Sequence, residues 1–211
     1  MTTSTSYAFE DSLEVLVRLS AALASRREDQ LESAMRAAAE CGDGDAIEEV
    51  ILQSYLFLGY PIALNGMARW RAVAGAGPRE HVAVERDLWL QRGEEVCGAV
   101  YGGQYERLRA NVRALHPDME SWMVEEGYGK VLGRPGLSLP ERELCIVAQL
   151  VVLDVTRQLY SHLRGALNVG ATESAVESAL QVGLEYAQPE ACERARATWE
   201  SIQRRKAESC S

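Results

Sequence analysis

Displaced by 128 positions, the chain matches itself: residues 30–63 fall on residues 158–191 with twelve of 34 positions identical and no gap. The shared residues include Gln30/Gln158, Leu31/Leu159, Arg36/Arg164, Glu49/Glu177 and Pro61/Pro189. Gly42/Gly170 stands where one helix must stop, and the shared Pro where another must start, so the two stretches agree on punctuation as well as on residues. A unit of helix, Gly turn, helix, Pro, helix used twice predicts an all-α fold of two tandem helical repeats. Apolar residues recur at three- and four-residue spacing nearly everywhere, and strand-like alternation almost nowhere, which gives about ten or eleven helices. The first repeat spans 1–77, a helical connection 78–117 and the second repeat 118–211.

Caps place several helices. Ser138 followed by Pro140 and Glu141 is a capping-box pattern opening the helix that carries the apolar run Leu144 to Leu153. Thr156 is expected to cap the next, which runs to about Val169 and ends at Gly170. Thr172 caps a third, and Pro189 opens the last. Pro78 to Leu115 reads as two more polar helices broken at Gly102-Gly103. Lys130 and Arg134, among the glycines Gly129 and Gly133, read as a solvated loop, because no strand precedes them and the spacing is wrong for a phosphate loop.

A formal charge of −9, from 31 acidic against 22 basic residues, repels phosphate backbones and anionic lipid, so neither nucleic acid nor membrane is an expected partner. No run reaches the roughly 18 to 20 apolar residues that span a bilayer. The N-terminus lacks the pattern of a signal peptide. Five scattered cysteines, none in a Cys-x-x-Cys pair, point to a reducing cytoplasm rather than to a disulfide framework or a zinc site. With three histidines, none three or four residues from another, no metal site is expected.

His162 borders the apolar stripe of Val155, Leu159, Leu163 and Ala166, where an imidazole is partly dry and able to work as acid or base near neutral pH. Glu143 lies two residues after the capping-box Glu141, which turns it roughly 160° away from that residue and toward the bundle. The repeat supplies an internal control. At the equivalent positions, 128 residues earlier, stand Val15 and Ala34, so both polar groups are missing together, as a pair with one shared task would be. Glu49 and Glu177, kept in both copies, are expected to bind a backbone or a neighbouring helix.

The string from Tyr128 through Lys130, Arg134 and Leu137, then Glu141-Arg142-Glu143-Leu144, then His162-Leu163-Arg164-Gly165-Ala166-Leu167-Asn168-Val169-Gly170, resembles the carboxymuconolactone decarboxylase family. Tyr186-Ala187-Gln188-Pro189 and, in the first copy, Phe57-Leu58-Gly59-Tyr60-Pro61 are similar to a further segment of it. The resemblance implies the alkylhydroperoxidase D-like fold, no cofactor, and decarboxylation of a small carboxylated lactone with His162 as proton donor and Glu143 as the group that orients it. Arg134 and Arg164 are candidates for binding the substrate carboxylate, and Tyr128 and Tyr160 for lining its pocket. In the family's thiol peroxidase branch the two cysteines would fall on Val155 and Gln158, so that chemistry is not expected here unless Cys145 reaches the site. A non-enzymatic helical scaffold or small-molecule binding module is the third reading. The resemblance also implies a homo-oligomer, each chain a pseudo-dimer and three chains an assembly.

Overall fold

A computed structural model describes residues 9–41, 43–75 and 86–209. The expected helix stop at Gly42, His81, and the expected start of the middle segment at Pro78 lie outside the described residues. Within them the chain is all-α: α1 (Asp11–Ser25), α2 (Glu28–Cys41), α3 (Gly44–Leu58), α4 (Tyr60–Ala74), α5 (Arg86–Tyr101), α6 (Tyr105–Leu115), α7 (Pro117–Trp122), α8 (Leu139–Leu153), α9 (Thr156–Asn168), α10 (Glu173–Tyr186) and α11 (Pro189–Ser209). A 3-10 turn, Gly102–Gln104, joins α5 to α6, and a π-helix, Met123–Leu132, follows α7.

Helix bounds repeat at the sequence offset. α1 and α8 each run 15 residues and start 128 apart, α2 and α9 start 128 apart, and α3 and α10 end 128 apart. The stops repeat as well, since Arg26 and Asp154 both take left-handed backbone (φ 57 and 58) where α1 and α8 end. Packing follows suit: α1 lies against α2, α3 and α10, α8 against α9, α10 and α3, and α1 and α8 against each other.

α8 is apolar on nearly every side, with Leu144 through Val151 all buried, and a helix without a polar face has to be enclosed. α1, which buries Leu16, Val17 and Leu19 through Ala24, covers it, and Ser20 Oγ donates to the Cys145 carbonyl at 2.8 Å across their contact. The capping box at Ser138 forms in full, and Thr172 Oγ1 accepts from the Ala175 amide at 3.0 Å. Thr156 differs from expectation: it is the first residue of α9, Val155 takes the cap position, and no side chain bonds the free amides.

The stretch expected to be a loop around Lys130 is instead the π-helix, closed by a bond from the Gly133 amide to the Tyr128 carbonyl at 2.7 Å. Glycine explains the difference. A Cβ on Gly129 would overlap the Trp89 carbonyl of α5, and one on Gly93 would overlap the Val124 carbonyl, so the two helices meet backbone to backbone. π-helices are rare and concentrate at functional sites.

Candidate active site

α8 and α9 bring the proposed pair together. The capping box and Pro140 fix the start of α8, so that Glu143, in its second turn, faces α9. Nδ1 of His162 lies 2.8 Å from Oε2 of Glu143, although 19 residues separate them. Both are buried, at 5% and 1% exposure, in keeping with the rule that a charge inside a protein needs a partner. Gly165, one turn after His162, makes the approach possible: a Cβ there would stand 2.9 Å from Oε2 of Glu143 and 2.7 Å from a Val100 methyl.

The other ring nitrogen, Nε2, has no hydrogen-bond partner among the described residues, and His162 lines a cavity of about 380 Å³. Leu56, Phe57, Met119, Trp122, Met123 and Leu132 make most of that wall apolar. Phe57 meets the imidazole edge to face at 5.7 Å between centroids. Met119 and Trp122 are 53% and 59% exposed and form the mouth. The polar wall is Gln158, Tyr101, Tyr128 and Glu126. Tyr128 donates to the Tyr101 hydroxyl at 3.2 Å, which leaves the Tyr101 proton available to a ligand. Burial pushes both phenols above their ordinary range and the Glu143 charge acts in the same direction, so both stay protonated.

The remaining candidates separate. Arg134 is ion-paired to Glu49 (Nη2 to Oε1, 2.9 Å), and Arg142, fully buried, bonds Glu49 at 2.9 Å and Gln53 at 3.1 Å. Arg134 therefore does not face the His162 cavity. The side chain that seemed free in sequence is neutralised by Glu49 of α3, a residue 85 positions away. Arg164 and Tyr160 also lie elsewhere, one helical step round α9, where the guanidinium sits 5.9 Å from the centre of the Tyr160 ring. Only Tyr128 of the expected binding residues shares the cavity with His162. Tyr101, Phe57 and Gly165 were not expected at the site, although the last two stand in the strings that carry the resemblance; the first lies in the segment expected to be a mere connection, the second in the copy expected to be chemically empty.

Cys97 and Cys145 stay out of reach of thiolate chemistry. Burial, with the Glu143 charge adding to it and Arg109 opposing, pushes Cys97 up to about 12, and burial raises Cys145 further. Both are 0% exposed. Among the described residues no cluster of three or more His, Cys, Asp or Glu is arranged to hold a metal ion. Among the described residues no helix is long and apolar enough to cross a membrane.

Residues 117–201, from the start of α7 into α11, match the carboxymuconolactone decarboxylase family. Over 143 residues the chain is 32% identical to Peroxisomal protein 2 of Schizosaccharomyces pombe, an alignment covering 66% of this chain and 67% of that protein. Over 159 residues it is 29% identical to Peroxisomal protein 2 of Saccharomyces cerevisiae, covering 62% of this chain and 56% of that protein. These alignments thus span 67% of the first relative's length and 56% of the second's. The relatives correct one expectation. Both carry a peroxisomal name, against the cytoplasmic setting inferred from the cysteines. Unpaired cysteines report a reducing environment and do not identify the compartment that provides it.

Proposed function

The chain belongs to the carboxymuconolactone decarboxylase family, and from that premise we propose that it is a carboxy-lyase that uses His162 and Glu143 to move a proton on a small carboxylated lactone or a related acid. The observation that carries this reading is the 2.8 Å contact between Glu143 Oε2 and His162 Nδ1, with Nε2 left to the cavity. Glu143 holds the ring in one orientation and stabilises the imidazolium, so that Nε2 carries the proton to be delivered.

In the proposed reaction the C–C bond to the substrate carboxylate breaks and carbon dioxide leaves. The electron pair stays on the substrate as an enolate, and Nε2–H of His162 protonates a carbon of that enolate. The proton then returns to the imidazole from water, with net uptake of one proton per carbon dioxide released. Tyr101, as donor, and Gln158 are placed to hold the lactone oxygen on which charge develops. The apolar wall favours loss of a carboxylate, whose concentrated charge is better solvated by water than the dispersed charge that follows. No cofactor enters this scheme. The names of the two relatives favour a peroxisomal setting for the activity.

The same proposal reads α1–α4 as the counterpart of α8–α11 in a pseudo-dimer, with three chains to the assembly. The test is turnover of carboxylated lactones in deuterated water, followed by loss of substrate and by deuterium at a non-exchangeable carbon of the product. His162→Gln is expected to abolish both. Turnover that survives this substitution, or a wild-type protein inert toward every carboxylated lactone, removes the reading.

A further inference from the structure

Two adjoining cavities, of about 270 and 420 Å³, open beside α9 and share Tyr160, Arg164 and Asn168 as a common wall. Arg107 and Arg157 line the first, Arg205 and Lys206 the second, and no Asp or Glu lines either. Lys206 pairs with Glu173, which leaves four arginines along this shared wall, conspicuous in a chain of net charge −9. Arg107, Arg157 and Arg164 form no ion pair among the described residues. Arg205 donates to the Tyr160 hydroxyl at 3.0 Å, and its guanidinium and that of Arg164 both sit against the Tyr160 ring, at 5.6 and 5.9 Å from its centre.

The two copies differ in this charge. In α2, the counterpart of α9, Arg36 is paired with Glu32 one turn before it. At the positions 128 residues later stand Arg164 and Tyr160, so the arginine is shared while a ring that leaves its charge unneutralised stands where the first copy has the carboxylate. Asp29 likewise corresponds to Arg157. The same helix face is acidic in the first copy and basic in the second.

We propose that this pair of cavities binds a small, multiply charged anion of the phosphate or pyrophosphate class. Guanidinium forks match phosphate oxygens two at a time, and several of them held together repel one another until an anion separates them. A local basic cleft in an otherwise acidic molecule suits a small molecule and not a nucleic acid, whose further phosphates would meet the surrounding negative charge. Tyr101 lines both the first of these cavities and the one holding His162, so a ligand seated here is one side chain from the proposed chemistry.

The experiment is calorimetric titration of the full chain with sodium pyrophosphate. Saturable one-to-one binding is expected for the wild type and for His162→Gln, at least tenfold weaker in Arg157→Gln/Arg164→Gln and weakened also by Arg107→Gln, with each variant's helicity checked by circular dichroism. Because the site is independent of His162, failure of the decarboxylase reading leaves this result standing. Absence of saturable heat, or an affinity that the arginine variants leave unchanged, overturns the site. Citrate binding as tightly at the same arginines overturns the phosphate assignment in favour of a polycarboxylate.

Discussion

Replacing Glu143 by Gln isolates the contribution of its charge, because the amide keeps the size of the side chain and can still accept from His162 Nδ1. If Glu143 stabilises the imidazolium, turnover falls by about 10²- to 10⁴-fold, the range that general acid–base groups contribute, while the melting temperature changes little. Gly165→Ala tests the same contact from the side of α9. Its Cβ would stand 2.9 Å from the carboxylate, so the pair must separate or the helices shift, at a cost of about 1–3 kcal/mol. Turnover measured beside thermal unfolding is expected to show activity lost in a protein that still folds; an alanine variant as active as wild type means that the close contact is dispensable. The pair itself was legible in sequence because the first copy lacks both members, at Val15 and Ala34. Gly165 was not, since its role depends on which side chain the other helix presents.

At the scale of elements, α7 carries Met119 and Trp122 to the cavity mouth and is fastened to α6 through Glu120, which Arg109 and Arg113 both bind. Burial works to raise the Glu120 pKa, but the two guanidiniums outweigh it and hold the carboxylate below its ordinary value of 4.5. A group depressed in the folded state contributes stability that is present above the unfolded pKa and lost as pH falls through the folded one. Glu120→Gln is therefore expected to destabilise by about 1–3 kcal/mol at pH 7, and the gap to wild type is expected to narrow as pH falls below the ordinary value of 4.5. Denaturant titrations at pH 7 and pH 3.5 measure it; a gap of equal size at both would point to packing and not charge. The π-helix makes a second case. Gly129→Ala puts a methyl into the Trp89 carbonyl, which neither backbone can yield without parting the helices, and a loss of about 3 kcal/mol or more is expected in the same titrations. Sequence periodicity could place α8 to α11 because caps and apolar spacing are local signals. It missed the π-helix because the contact permitting it, Gly93 against Gly129, joins residues 36 positions apart. For the same reason Arg134 looked free until α3 brought Glu49 to it.

At the scale of the whole molecule, the repeat has a consequence that neither copy has alone. α8 is apolar on nearly every side, and α1 covers one side of it, with Ser20 bonding the Cys145 carbonyl across the contact. A fragment of residues 118–211 would leave that side of α8 in water, and at about 25 cal/mol per Å² of apolar surface the exposed face is set against a total domain stability of only about 5–15 kcal/mol. It would also lose Phe57 and Tyr101 from the cavity wall. The fragment is therefore not expected to persist as a folded monomer. If the two sets of helices are related as a pseudo-dimer, the covering surface can be restored by a second copy of the fragment, α8 against α8. Such a fragment should gain helix with concentration, and sedimentation should give twice its own mass. Without Phe57 and Tyr101 it should turn over no substrate, even though each copy retains Glu143 and His162. A monomeric, fully helical fragment that unfolds cooperatively would show instead that the second repeat is a domain in its own right, and that the first is an addition to it and not a stand-in for a neighbour.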